Sequence, residues 1–458
     1  MKNLLNLFTL SLLIALFGAC QVKTTRETTL ERELKRSETP VPEWSKNAVI
    51  YEVNVRQYTE AGTFKAFEAH LPRLKELGVD ILWFMPIHPI GEENRKGTLG
   101  SYYSVKNYKA VNPEFGTMDD FKQLVAKCHQ MGFKVLIDWV ANHTAWDNAW
   151  MTNHPEWYAK DSTDNFYGPF DWSDVAQLDY DNQEMRAAMT DALKFWVQEC
   201  NIDGYRCDVA GMVPVDFWEN TRTSLETIKP VYMLAEDEEK KELLNKAFNA
   251  NYGWSFHHLL NEIAKEEEPA SEIPAYYAAL DTLYPQGVYP MQFTSNHDEN
   301  SWNSTAIERL GDGTKTFAAL TFTVPGLPLI YTGQEAGLNK RLEFFEKDQV
   351  DWTDLSLTPL YQHLATLKED NKALWNGTAG GDIEFMTTNA PENALCFQRE
   401  KDGNEVIAIF NLSNKSVSLS GADKLKGTYK DYFTHRTVTF PLRGELMQPW
   451  EFVICLKE

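Results

Sequence analysis

Gly204-Tyr205-Arg206-Cys207-Asp208 decides the reading of the fold, because it ends a short apolar run on a carboxylate and has two counterparts further along the chain. Tyr232-Met233-Leu234-Ala235-Glu236 closes in the same way, and so does Phe293-Thr294-Ser295-Asn296-His297-Asp298. Glu236 follows Asp208 by 28 positions, and Asp298 follows Glu236 by 62. One strand-plus-helix repeat of a parallel barrel takes on the order of 30 residues, so the intervals correspond to one repeat and two. Carboxyl groups far apart in sequence would then meet at one barrel mouth, where the strands end.

Working outward, Ala48–Val53, Val79–Phe84 and Phe133–Asp138 read as the first three buried strands, the second and third each preceded by an amphipathic helical stretch. Ile202–Cys207, Pro230–Ala235, Val288–Thr294 and Pro328–Tyr331 continue the series, and Asn251–Phe256 supplies a weakly marked sixth strand. This alternation predicts an α/β chain forming a closed (β/α)8 TIM barrel over 44–379. An open doubly wound sheet is disfavoured, because its Gly-rich phosphate turn is absent. From Asp138 to Asp208 is 70 residues, more than one repeat needs, which places a short inserted domain over 145–181 after strand 3. Beyond about Gly380 the pattern changes to short alternating strands, among them Ala394–Arg399 and Val406–Leu412 around the turn Lys401-Asp402-Gly403-Asn404. These predict a C-terminal antiparallel β-sandwich over 380–458.

The first 19 residues carry one Lys and the apolar run Leu4–Phe17, and read as a secretory signal peptide over 1–19. Leu16-Phe17-Gly18-Ala19-Cys20 resembles a bacterial lipobox, which implies a lipidated Cys20 as the mature N-terminus. Residues 20–43 are polar, charged and Thr-rich and read as a flexible tether. The expected location is the bacterial envelope, across the inner membrane, held to a membrane by the lipid. Gln21-Val22-Lys23-Thr24-Thr25 lacks an acidic run, which favours the periplasmic side over the cell surface. The remaining five cysteines show no metal-ligand spacing and read as buried, inert thiols. A formal charge of −22 without a Lys/Arg stripe excludes a nucleic-acid partner. The 13% aromatic content, including 14 Trp, suits both a core and flat faces for sugar rings.

Asp138, Asp208, Glu236 and Asp298 all stand at strand ends, where barrels place their chemistry. One such carboxylate is as readily a turn or cap residue. Four in register on different strands repel one another, a cost that function explains better than folding does. Arg206 and Asp208 are at i and i+2, so both point into the barrel, and the guanidinium would favour an ionised carboxylate. Tyr205 and Cys207 would face the helices. Glu236 ends the apolar run Val231–Ala235, a semi-dry setting expected to favour its protonated form. One ionised and one protonated carboxyl group are the equipment for cleaving a glycosidic bond.

The chain resembles the α-amylase family of retaining glycoside hydrolases. Asp138-Trp139-Val140-Ala141-Asn142-His143, Gly204–Asp208, Glu236 and Asn296-His297-Asp298 resemble its four signature blocks. Gly78–Pro86 and Gly326–Glu335 resemble flanking blocks. The resemblance implies Asp208 as nucleophile, Glu236 as acid/base and Asp298 as the carboxylate that orients sugar hydroxyls. It further implies substrate contacts from Arg206, His143, His297 and Tyr103, with Asp138 behind them, paired with Arg206. The implied partner is an α-glucan or maltooligosaccharide. The reaction would be α-1,4-glucosidic hydrolysis, with maltodextrin or cyclodextrin hydrolysis, α-glucosidase action or transglycosylation as alternatives on the same mechanism. A catalytically dead glycan-binding lipoprotein would be expected to lack at least one of the three carboxylates, and none is missing.

Three departures from the family pattern stand out. Val209-Ala210-Gly211-Met212 lacks the Lys-His pair that many α-amylases place after the nucleophile. Val175-Ala176-Gln177-Leu178-Asp179 carries Gln177 where calcium-binding members have Asp. Asn142 remains as an oxygen ligand for a metal, but the set reads as incomplete, so no cofactor is expected to be required. The insertion is short for the family and implies a relatively open cleft.

Overall fold

Eight short parallel strands close on one another in the computed structural model, which describes residues 36–457. They are β1 (Ile50–Val53), β2 (Ile81–Phe84), β3 (Lys134–Val140), β4 (Gly204–Asp208), β5 (Tyr232–Ala235), β6 (Ala250–Tyr252), β7 (Tyr289–Gln292) and β8 (Leu327–Tyr331). Each pairs with its sequence neighbour, and β8 returns to β1. Seven of the eight lie where the apolar runs predict them. The sixth is shorter than expected, because residues from Trp254 onward are helical (Trp254–Ala264) and Gly253 precedes that turn. The signal peptide, Cys20 and residues 20–35 of the tether lie outside the described residues.

Alternation along the strands sorts the barrel interior into two levels. Ile50, Ile81, Leu136, Leu234 and Met291 point inward near the strand starts and fill the lower half with apolar side chains. Two residues on, the same faces carry Glu52, Trp83, Asp138 and Arg206, all buried. Register carries this across strands, since Glu52 is level with Trp83 and Asp138 with Arg206. Tyr205 and Cys207 join the larger apolar layer between strands and helices, as their odd position requires. Each such fully buried large side chain contributes roughly 1.5–3 kcal/mol, enough to carry a charged upper level. Gly204 is needed at the start of β4, because a Cβ there would lie 1.8 Å from the Tyr232 carbonyl oxygen.

Between β3 and β4 the chain forms a hairpin, His143–Ala145 against Val175–Gln177, which closes the insertion. The C-terminal part has a six-stranded antiparallel sheet and a two-stranded one, with the apolar cluster of Ile407, Ile409, Leu419, Met447 and Val453 among them. Residues 36–43, expected to belong to a free tether, are instead docked on the barrel. Ser37 N donates to Gln286 O at 3.0 Å, and the Pro40 carbonyl accepts from Asn249 at 2.7 Å and Arg222 at 3.0 Å. These contacts are polar and mostly to backbone, so the hydropathy of the segment does not reveal them. Five cysteines are free and buried among the described residues. No helix among the described residues is long and apolar enough to cross a membrane.

Candidate active site

Arg206 stands at the centre of the charged level and is fully buried. Its Nη1 lies 2.9 Å from Asp138 Oδ1 and 3.1 Å from Asp208 Oδ1, and its Nη2 lies 2.6 Å from Glu236 Oε1. The sequence had paired it with Asp138 and Asp208 only. Its Nε donates to Tyr252 Oη at 3.1 Å. Burial opposes its charge, but Asp138 and Glu236 outweigh that and raise its pKa far above the ordinary value. Asp138 is pushed up to about 6 by burial, against the pull of Arg206, and takes a further hydrogen bond from Trp83 Nε1 at 3.1 Å. Asp208 is raised well above the carboxylate range by burial and by the charge of Glu236, which together outweigh Arg206. The Arg206 guanidinium is shared among three carboxylates, so the pull it exerts on Asp208 is shared with Asp138 and Glu236. Nor is Glu236 left alone at a dry strand end, since the Val209 N–H also donates to its Oε2 at 2.8 Å.

That bond depends on an unusual turn. Val209 adopts φ 36°, ψ 47°, a left-handed conformation that β-branched residues avoid at a cost of about 1–3 kcal/mol. The strain aims its N–H across to β5.

His297 follows β7 and points inward. Its Nδ1–H donates to Glu52 Oε1 at 2.5 Å, and Nε2 lies 2.8 Å from Tyr103 Oη and 3.3 Å from Asp298 Oδ2. Burial disfavours its cation, yet Asp298 and Glu52 together raise its pKa to about 9. Tyr103 donates onward to Asp138 Oδ2 at 3.1 Å, and its ring stacks on that of His297 at 5.4 Å. His143 is the opposite case, since burial pushes it down to about 3 and it stays neutral. Tyr103, His143, Asp208, Glu236, His297 and Asp298 all line one cavity of about 510 Å³. Arg206 and Asp138 sit behind it.

The cavity wall draws on loops from three parts of the chain. Lys96, on the loop after β2, lies 3.3 Å from Asp174 of the insertion. The same loop joins the segment after β8, with Leu99 N donating to Phe345 O at 3.0 Å and Thr98 N to Glu346 Oε1 at 2.9 Å. Phe344, Phe345 and Trp302 complete this rim. Past Val209 and Glu236 the cavity continues into a second groove of about 850 Å³, which includes Asp237, Glu238, Trp254 and His258.

Asn142, expected as an oxygen ligand, is held by Gln177. The Gln177 Nε2 donates to Asn142 Oδ1 at 3.0 Å, to the Asn142 carbonyl at 3.1 Å and to the Leu178 carbonyl at 3.2 Å. An amide donor thus faces the oxygens that a hard cation would need.

The family model described as the alpha-amylase catalytic domain matches residues 45–156 and 153–373. The chain belongs to the alpha-amylase family. It is therefore a glycoside hydrolase by descent. An alpha-amylase from Lactobacillus plantarum shares 32% identity and superposes with a TM-score of 0.81 over 91% of this chain and all of that one. AmyB, a maltogenic alpha-amylase from Thermotoga neapolitana, shares 29% identity, with a TM-score of 0.83 over 90% and 99% of the two chains. The alpha-amylase MalA of Haloarcula japonica is 24% identical over 85% of this chain, which spans 60% of that longer protein.

The structure brings together every alpha-amylase residue that the signature blocks single out, apart from Asn142, which lies in the hairpin network. Sequence reasoning missed Glu52, Trp83, Tyr252 and Val209. Glu52 did leave a signal, a carboxylate in the middle of the apolar run Ala48–Val53. The contacts of Val209 depend on its backbone angle and leave none.

Proposed function

We propose that the chain hydrolyses α-1,4-glucosidic bonds of α-glucans or maltooligosaccharides with retention. The observation that carries this is the convergence of Asp208, Glu236 and Asp298 on one cavity, with Arg206 behind them. Asp208 attacks the anomeric carbon while Glu236 gives its proton to the leaving oxygen, forming a glycosyl-enzyme. Glu236 then takes a proton from water, whose oxygen displaces Asp208. His297, charged at neutral pH, donates together with Arg206 toward the ring oxygens, and Asp298 accepts from sugar hydroxyls. Tyr103 offers the ring face. All three carboxylates line the cavity, which disfavours a purely glycan-binding role. Cyclodextrin and maltodextrin hydrolysis, α-glucosidase action and transglycosylation share these steps.

Product analysis on starch, maltotriose, cyclodextrin and pullulan tests the reading. Folded wild-type protein should hydrolyse at least one of them, and Asp208→Asn should lose the activity by several orders of magnitude. Inactivity on every substrate would sink the proposal, and full activity in Asp208→Asn would sink the assigned nucleophile.

The same reading holds that no calcium is needed, on the strength of Gln177. It also places the protein in the bacterial envelope, on the periplasmic side, through a lipid on Cys20. The sequence Leu16–Cys20 supports that anchor. Cys20→Ser should move the protein from the membrane fraction to the soluble fraction. An unchanged distribution would remove the anchor.

A further inference from the structure

We infer that one end of the cavity is closed to long chains, so that this protein cuts its substrate from the non-reducing end, with Lys96–Asp174 as the bolt that enforces it. The inference rests on the proposed reaction, because Glu236 must stand beside the leaving oxygen. The second groove begins at Glu236 and Val209, so it receives the leaving part of the substrate. What remains of the cavity therefore holds the sugar that stays on Asp208 and whatever precedes it.

Three separate segments meet along that end. Lys96 Nζ meets Asp174 Oδ1 at 3.3 Å, and both residues face the cavity. The Asp174 side chain is 5% exposed and that of Lys96 33%, so the pair is half-buried, with its carboxylate in the wall. The Asp174 carbonyl is fixed by Ser104 Oγ at 2.9 Å, which places its carboxylate. On the other side of Lys96, the loop locks onto the segment after β8 through Thr98 and Leu99. The approach is close enough that a Cβ on Gly97 would lie 2.5 Å from Phe345 Cβ. Insertion, β2 loop and β8 segment thus form one continuous wall. On this inference a glucan passing through this end would meet the Lys96–Asp174 pair in the cavity wall, whereas a short non-reducing end would fit inside. Specificity of this kind comes from what the pocket rejects.

The test uses maltoheptaose carrying a chromogenic aglycone at its reducing end, in one form free and in the other blocked by an ethylidene group at its non-reducing end. Wild-type protein should release a single short sugar first from the free form and cut the blocked form at least about tenfold more slowly, the scale on which pocket contacts discriminate. Lys96→Ala and, separately, Asp174→Asn should narrow that ratio and release longer products early. The ratio is internal to each preparation, so a partly folded variant still reports it. If wild-type protein cuts both forms equally, or opens internal bonds first, the inference is overturned while the hydrolase reading stands. A ratio unchanged in both variants removes the bolt. Inactivity on both forms overturns the inference together with the reading beneath it.

Discussion

Asp208 feels two opposed neighbours, and the balance between them sets where the site works. Burial and the Glu236 charge push its pKa up, while Arg206 pulls it down from 3.1 Å. A protonated nucleophile cannot attack, so the acid limb of the pH–rate profile should lie above the ordinary carboxylate range. Maltosyl fluoride, whose leaving group needs no acid, isolates the effect. In Glu236→Gln the limb should move to lower pH, because one of the charges raising Asp208 has gone. An unmoved limb would mean that Glu236 does not govern Asp208. His297 is the complementary case. Its folded pKa of about 9 exceeds the free value of 6.5, so its ion pairs with Glu52 and Asp298 stabilise the fold fully below 6.5. That contribution is lost as pH rises through 9. The melting temperature should therefore fall over this window in wild-type protein and fall less in His297→Asn, with equal slopes counting against the charge. At this scale the sequence was informative wherever a polar residue interrupts or ends an apolar run. Distances decided the rest, as with Arg206, whose third partner Glu236 is 30 positions away.

At the level of elements, strands announced themselves by apolar runs, and helices by amphipathic spacing. The sixth strand was faint because only Ala250–Tyr252 pair, too few residues for alternation to show. The hairpin after β3 was legible as excess length but not as structure, since its registry is fixed by side-chain amides. His143 pairs with Gln177 across it, and Gln177 reaches back to Asn142. This network ties the hairpin to the end of β3. A chelator should leave the melting temperature of wild-type protein unchanged, whereas Gln177→Ala should lower it by roughly 1–3 kcal/mol of stability, because buried carbonyl and amide groups lose their donor. A marked fall in wild-type melting temperature on chelation, reversed by calcium, would contradict the account.

In the whole molecule, the pattern changes near Gly380, and the packing joins the parts on either side. One face of the C-terminal sheet, with Leu395, Phe397, Val406, Ala408 and Phe410, belongs to the same apolar core as the barrel helices. Phe317 of the helix before β8 packs on Trp450 at 5.8 Å. Arg399, fully buried, fastens the seam by donating to the carbonyls of Gly381 at 3.0 Å, Thr323 at 3.0 Å and Trp375 at 3.1 Å. Composition shows where the pattern changes, whereas a shared core depends on which faces meet, and strand alternation alone leaves that open. Burying several large apolar side chains at roughly 1.5–3 kcal/mol each couples the two parts by an amount comparable to a typical domain's whole margin of stability. Calorimetry of the intact protein should therefore show a single transition, and a chain ended at Gly380 should be insoluble or lack cooperative melting. Arg399→Met should lower the melting temperature while leaving the product pattern unchanged, because the residue lies far in the fold from the carboxylate cavity. Two resolved transitions, or a soluble and active barrel without the sheet, would show that the seam is a docking surface between independent domains.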